Sequence, residues 1–304
     1  LRGGRELSLA EAKFKNPVVT LGFFDGVHIG HQALLREVLR LSRETGVEPV
    51  AVTFHKPPRE ILYGEVPLFL TPTSLREQLL QDLGLTVVEL TFTEELSQTS
   101  AEDFIKDFFV GVLGVSAVVL GPETRFGKGG GGNPELLGSL GERYGFKTHI
   151  VPFVSERGSR VSSSRIRSRI IVGDLAEAER LLGRPVTLAG LVVKGKGRGK
   201  ELGFPTANID TKGLVLPPHG VYTGRLFWDG QEAPAAVSIG DAPTFGDLNE
   251  TVTEAHVVGQ NPDLHNKYVR LEIFRKIRDQ KKFSSLEELK KAMAEDIGVV
   301  KGHL

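Results

Sequence analysis

Short apolar runs alternate with amphipathic stretches through the first 183 residues. The runs at 18–21, 50–54, 87–92 and 117–120, with another near 148–153, predict strands. Between them, 32–44, 75–83 and 101–113 carry apolar residues at spacings of three and four and predict helices. The last of these has Ser100 as a candidate cap, Asp103 in its first turn and a stop at Gly114. Strand–helix alternation of this kind predicts a doubly wound parallel sheet, whose ligands bind outside the carboxyl ends of the strands.

After Gly183 the period drops to two. VTLAGLVV, GVYTGRLFW, APAAVSIG, TEAHVVG and KYVRLEIF follow one another, punctuated by Gly, Pro and Asn and without helical stretches between them. That pattern predicts an antiparallel β-barrel. SSLEELKKAMAEDIG then predicts a closing helix, with Ser284 or Ser285 as its cap and acidic residues in its first turn. SRIIVGDLAEAERLLG, just before the change of period, reads as a helical connector, and the glycines at 129–132 as a mobile loop too brief to separate domains. The expected chain is therefore α/β, with one domain over 1–183 and a second over 184–304.

Length agrees, since 304 residues suit two cores better than one. The chain is 40% hydrophobic and 25% charged, and no apolar run approaches the roughly 18 residues of a membrane span. LRGGRELSLAEAKFKN has no apolar core of a secretion signal, and with no cysteine there is no disulfide, thiolate metal site or catalytic thiol. Both features suit a cytoplasmic protein. Lys plus Arg and Asp plus Glu number 38 each, divided 21 against 23 before Gly183 and 17 against 15 after it. Neither half has the basic field of a nucleic-acid binder, so any phosphate ligand must be held by local geometry.

That geometry is offered by GFFDGVHIGHQ, which begins at Gly22 where the first strand gives way to the first helix. Gly22 and Gly26 allow close backbone approach, and a helix beginning near His28 aims unpaired N–H groups at the same space. His28 and His31 fall on one helix face, so both imidazoles can meet a phosphate chain. Equally, one histidine can cap the helix while the other packs. Ser162, Ser163, Ser164, Arg165 and Arg167 open another helical pattern and offer hydroxyls and guanidiniums to a phosphate, or a solvated cap. In GFPTAN, from Gly203, Thr206 and Asn208 lie two apart and face one side of an extended segment, where their neutral oxygens suit Mg²⁺ beside phosphates; a simple strand-opening turn is the alternative. The preceding GKGRGK, from Gly195 to Lys200, is a flexible cationic loop able to fold over phosphates, or a solvated hairpin. A metal pair of His256 and His265 is conceivable, though lone histidines in a barrel are more often structural.

GFFDGVHIGHQ and SSSRIR together resemble the HxGH and SSSxIR motifs of the nucleotidylyltransferase superfamily. GFFDGVHIGHQ followed about 180 residues later by GFPTANI is similar to the bifunctional bacterial riboflavin kinase and FMN adenylyltransferases, or FAD synthetases. The resemblance covers nearly the whole chain. It implies that the first half transfers AMP from ATP to FMN, giving FAD and pyrophosphate. His28, His31 and Arg167 would neutralise the ATP phosphates with Mg²⁺. Gly22, Phe23, Asp25, Gly26, Gly30, Ser162, Ser163 and Ser164 would hold the nucleotide. The second half would phosphorylate riboflavin, with Glu254 of TEAH as base. Gly195, Gly197, Gly199, Lys200, Pro205, Thr206 and Asn208 would bind ATP there, Thr206 and Asn208 also holding the metal. Glu123, Arg125, Phe126 and Arg278 are the implied flavin contacts. Riboflavin, FMN and ATP are the expected partners, with no nucleic acid and no membrane.

Three departures from the family pattern stand out. TFHKPPRE puts Pro57 where the family has a histidine, leaving His55 and Lys56 as stand-ins; GPETRFG carries Glu123 at a flavin contact; SIGDAPT has Ser238 and Ala242 in place of Asn and Arg. One rival reading is a single-activity nucleotidylyltransferase whose barrel binds flavin without catalysis. Another, a barrel that binds nucleic acid, sits poorly with near-neutral charge and 7% aromatics.

Overall fold

Val18, Val19, Thr20 and Leu21 are all buried, as a central strand covered on both faces requires. In the computed structural model, which describes residues 14–64, 67–195, 199, 203–242 and 250–303, they form β1 (Val18–Leu21). The chain continues through α1 (Ile29–Thr45), β2 (Pro49–Phe54), α2 (Pro58–Tyr63), α3 (Thr73–Asp82), β3 (Thr86–Leu90) and α4 (Glu94–Gln98). Next come α5 (Ala101–Asp103), β4 (Ala117–Leu120), α6 (Pro134–Tyr144) and β5 (Lys147–Ile150). β1 to β5 make one parallel sheet in the order β3-β2-β1-β4-β5. The order reverses direction at β1, so the loop after Leu21 lies at the switch point where such sheets bind ligands.

Ser100 caps α5 as expected, its hydroxyl accepting from the Asp103 N–H. Beyond Asp103 the helix continues as a π-helix, Phe104–Val112, rather than as the α-helix that the periodicity predicts. Phe104, Ile105, Phe108 and Phe109 still share a buried face there. The glycine run at 129–132 is a built turn rather than an open loop: Lys128–Gly130 is a short 3₁₀ turn, and Gly132 pairs with Phe126 so closely that a Cβ on it would overlap the Phe126 ring.

Leu1–Pro67 and Thr73–Ser162 group into one compact unit, Leu68–Pro72 and Ser163–Leu304 into another. The two connector helices, α7 (Ser163–Ile171) and α8 (Leu175–Leu182), belong to the second unit. In the first, a two-residue hairpin pairs β6 (Ser155–Glu156) with β7 (Ser159–Arg160). In the second, β8 (Val186–Val193), β9 (Ala207–Ile209), β10 (Gly220–Trp228), β11 (Gln231–Ala242), β12 (Glu250–Val257) and β13 (Tyr268–Arg278) close into a barrel. The barrel order is β10-β11-β12-β9-β8-β13, antiparallel throughout. Its inward residues Leu188, Leu226, Val237, Ala255 and Leu271 are all at most 1% exposed. α9 (Leu286–His303) ends the chain.

Candidate active sites

In the first unit the loop between β1 and α1 is held in an unusual conformation. Gly26 has φ 82°, and Phe24 and Val27, neither of them glycine, have φ 55° and 40°. Such backbone persists only where its surroundings over-determine it. Phe24, Asp25 and Val27 are correspondingly buried, at 4, 3 and 2% exposure. Gly22 is required by packing, since a Cβ there would stand 2.9 Å from the Phe24 ring.

His28 is the N-cap of α1, and its side chain makes the cap: the His31 N–H donates to His28 Nδ1 at 3.2 Å. In the neutral ring an accepting Nδ1 leaves the proton on Nε2, which is thereby a donor. The two imidazoles stack with centroids 3.6 Å apart and planes 15° from parallel. Gly30 permits this, because its Cβ position lies 3.1 Å from the His28 ring. The alternative of one capping and one packing histidine is thus half realised: His28 caps, and the rings share one stack. Imidazole N–H, helix N-terminus and φ-positive loop are together an arrangement able to hold an anion.

Around it, Lys56 pairs with Glu60 at 2.8 Å, and His55 Nδ1 lies 3.4 Å from Glu89 Oε2. Glu123 is paired with Arg160, whose guanidinium sits 3.4 Å from the Phe153 ring centroid. Arg125 is exposed. Phe126 is a core residue, 6% exposed with its ring 6.2 Å from Phe104, so any help it gives a flavin runs through the turn it anchors. Ser162 closes the first unit. Ser163, Ser164 and Arg167 lie on α7 in the second, where Arg167 Nε donates to the Leu68 carbonyl at 2.8 Å. Of the two guanidiniums offered by SSSRIR, that of Arg165 is engaged by Glu177 of α8 at 2.6 Å.

The second site is a cavity of about 1420 Å³ in the barrel unit, lined by Gly195, Thr206, Asn208, Glu254, His256 and Arg278 among others. Glu254 of β12 is the register partner of Asn208 on one side and of Ser238 on the other. Burial pushes its carboxyl above the usual range, which suits a base that must hold a proton taken from an alcohol. His256, two residues on, uses its ring: Nδ1 lies 2.8 Å from the Pro205 carbonyl, which fixes the GFPTAN turn against β12. That is the structural alternative to a metal pair with His265. Glycines clear the space beside the turn, since a Cβ on Gly195 would overlap the Asn208 amide and one on Gly199 would stand 2.5 Å from the Phe204 carbonyl. Gly197 and Lys200 lie outside the described residues. Arg278 grips Asp296 of α9 through two bonds of 2.9 and 2.8 Å, tying the last strand to the closing helix.

Each unit meets a different family. The FAD synthetase family matches residues 10–165, and the riboflavin kinase family residues 182–304. Proteins named bifunctional riboflavin kinase/FMN adenylyltransferase are similar along nearly the whole chain. The one from Escherichia coli K12 is 34% identical over 95% of this chain and 93% of its own. That from Pseudomonas fluorescens is 33% identical over 93% and 92%. The chain belongs to the bifunctional riboflavin kinase/FMN adenylyltransferase family. A crystal structure described as a macrolide-efflux protein from Streptococcus pneumoniae has the same fold, with a TM-score of 0.83 and 29% identity over 96% of both chains. Among the described residues no helix is long and apolar enough to cross a membrane.

Ser238, one of the departures noted in the sequence, lies on β11 directly opposite Glu254 of β12. The Ala242 side chain lies outside the described residues. Two contacts escaped sequence reasoning, Asp296 with Arg278 and His256 with the Pro205 carbonyl. They join residues 18 and 51 positions apart, and no local pattern announces them. The buried Arg76 of α3 escaped it as well.

Proposed function

We propose that the chain makes FAD from riboflavin in two steps, one on each unit. In the barrel, riboflavin is phosphorylated by ATP: Glu254 takes the proton of the terminal ribityl hydroxyl, the oxygen attacks the γ-phosphorus and ADP departs. In the first unit, an FMN phosphate oxygen attacks the α-phosphorus of ATP and pyrophosphate departs, giving FAD. That nucleophile is already ionised, so the step needs charge neutralisation and alignment rather than a base. His28, His31 and the α1 N-terminus supply it, and Gly22, Phe23, Asp25 and Gly26 shape the nucleotide site. The parts of Ser162, Ser163, Ser164 and Arg167 in this step, and of Glu123, Arg125 and Arg278 in flavin binding, rest on the family motifs.

Mg²⁺ fits the kinase site. Thr206 and Asn208 bring neutral hard oxygens into a space kept clear by Gly195 and Gly199, and the ATP phosphates supply the negative charge that these ligands lack. Bound there, the ion would neutralise charge on the transferring phosphoryl group. We assign the kinase domain to 184–304 and the adenylyltransferase domain to 1–183, and place both reactions in the cytoplasm, where ATP is available and a chain without cysteine is at home.

One observation carries the reading: the two family matches lie in tandem on one chain, each over a unit with its own site. It favours two activities over a single transferase with a passive barrel. Incubating the full chain with riboflavin, ATP and Mg²⁺ and resolving the flavins by chromatography tests it. FMN followed by FAD is expected. FAD arising only from supplied FMN would reinstate the passive barrel, and neither product would refute both activities.

A further inference from the structure

Arg76 looks, in sequence, like a solvated helix residue, yet it is 1% exposed. It sits on α3, the crossover between β2 and β3, and reaches the carboxyl ends of three neighbouring strands. Its guanidinium lies 4.2 Å from the ring centroid of Phe23, two residues beyond β1. Nη2 donates to the carbonyl of Phe54, the last residue of β2, at 2.7 Å, and stands 3.9 Å from Glu89 Oε1 on β3. Asp25, in the same loop as Phe23, acts on it electrostatically, as do Glu89 and Glu77. Removing a guanidinium from water is costly, and a buried charge of this kind is weak as a source of stability compared with a well-packed apolar residue. What a planar, forked cation does supply is geometry: one face for an aromatic ring, and N–H groups with fixed directions.

We propose that Arg76 is a positioning residue for adenylyl transfer, holding Phe23 and Asp25 of the φ-positive loop in register with the His28 and His31 stack. This rests on the assignment of that reaction to the first unit. At 1% exposure Arg76 would act through the loop rather than on substrate. With the clamp gone, nucleotide still enters, but the reacting atoms are misaligned, and a displacement of about 1 Å can cost roughly 10²-fold in rate. The loss therefore falls on kcat rather than on KM.

Arg76→Lys keeps the charge and loses the plane and the fork. In the full-length chain at 25 °C it is expected to lower kcat for FAD formation from FMN and ATP by about 10- to 100-fold, with KM for both substrates within about threefold. FMN formation from riboflavin, measured on the same sample, stays at the wild-type rate. In a Phe23→Leu background, where the ring is already gone, the same Lys substitution should change kcat less than about threefold, because the two residues act as one unit. Glu89→Gln, a milder disturbance of the clamp, should lower kcat in the same direction and serves if the Lys variant does not fold. A folded Arg76→Lys enzyme with unchanged kcat, a lowered melting temperature alone, or losses that multiply independently in the double variant would overturn the proposal. If wild-type chain makes no FAD from FMN, the underlying assignment has failed instead.

Discussion

Asn208 and Glu254 face each other across two antiparallel strands, register partners on β9 and β12. An amide and a half-buried carboxylate are thereby brought to one spot from positions 46 residues apart. The pairing follows from the barrel register, so it does not depend on either side chain's own conformation.

Glu254→Gln keeps size and hydrogen bonding and removes proton affinity. The kinase rate should fall roughly 10²- to 10⁴-fold with flavin binding little changed. Adenylyl transfer to supplied FMN should continue at the wild-type rate. Steady-state rates of both half-reactions check this; near-normal FMN production would remove Glu254 from the mechanism.

Gly30 makes room for the His28 ring, with 3.1 Å between its Cβ position and the imidazole. Gly30→Ala should shift the His28 ring by a few tenths of an ångström against His31 and lower FAD formation up to about tenfold, while leaving FMN formation intact. His31→Ala should remove most FAD formation with the same selectivity. Equal loss of both activities in a folded variant would point to a general structural role for the motif.

How far the sequence could be read depends on the range of the interaction. Strands β1 to β5 and five of the six barrel strands follow from apolar periods, and the Ser100 cap from residues three apart, because each is a local signal; the three-residue β9, which carries Asn208, shows no period of its own. The HxGH spacing put both imidazoles at the start of α1 for the same reason. Arg76 could not be found this way: a charged residue in an amphipathic helix is taken as solvated, and only the fold puts Phe23, Phe54 and Glu89 around it. The π-helical geometry of Phe104–Val112 was hidden too, since apolar residues at i and i+4 serve a π-helix and an α-helix alike.

Beside Arg76, Glu77 is held above its ordinary value of 4.5 by burial and by the neighbouring Glu89 carboxylate. The fold thus favours protonated Glu77, so its contribution is most favourable below the ordinary carboxylate range and is lost as pH rises through the raised value. Glu77→Gln removes that loss. At pH 8 the temperature of half-inactivation for FAD formation should rise over wild type, and the difference should vanish towards pH 4. An advantage that grows as pH falls would contradict the assignment.

A fragment beginning near Leu182 contains every barrel strand and α9. It should fold alone and phosphorylate riboflavin. An inactive fragment beside an active full chain would place the true start of the kinase domain earlier, at the helices α7 and α8 that group with the barrel.

Two separable sites on one chain make a stronger demand than any single variant. His31→Ala should convert riboflavin to FMN and stop, and Glu254→Gln should convert supplied FMN to FAD but leave riboflavin untouched. Mixed in one tube with riboflavin, ATP and Mg²⁺, the two proteins, neither of which makes FAD from riboflavin by itself, should together restore FAD, visible by chromatography as FMN that rises and then declines as FAD accumulates. A mixture that makes no FAD, although each protein performs its own half-reaction alone, would contradict the account of two independent sites joined by free FMN.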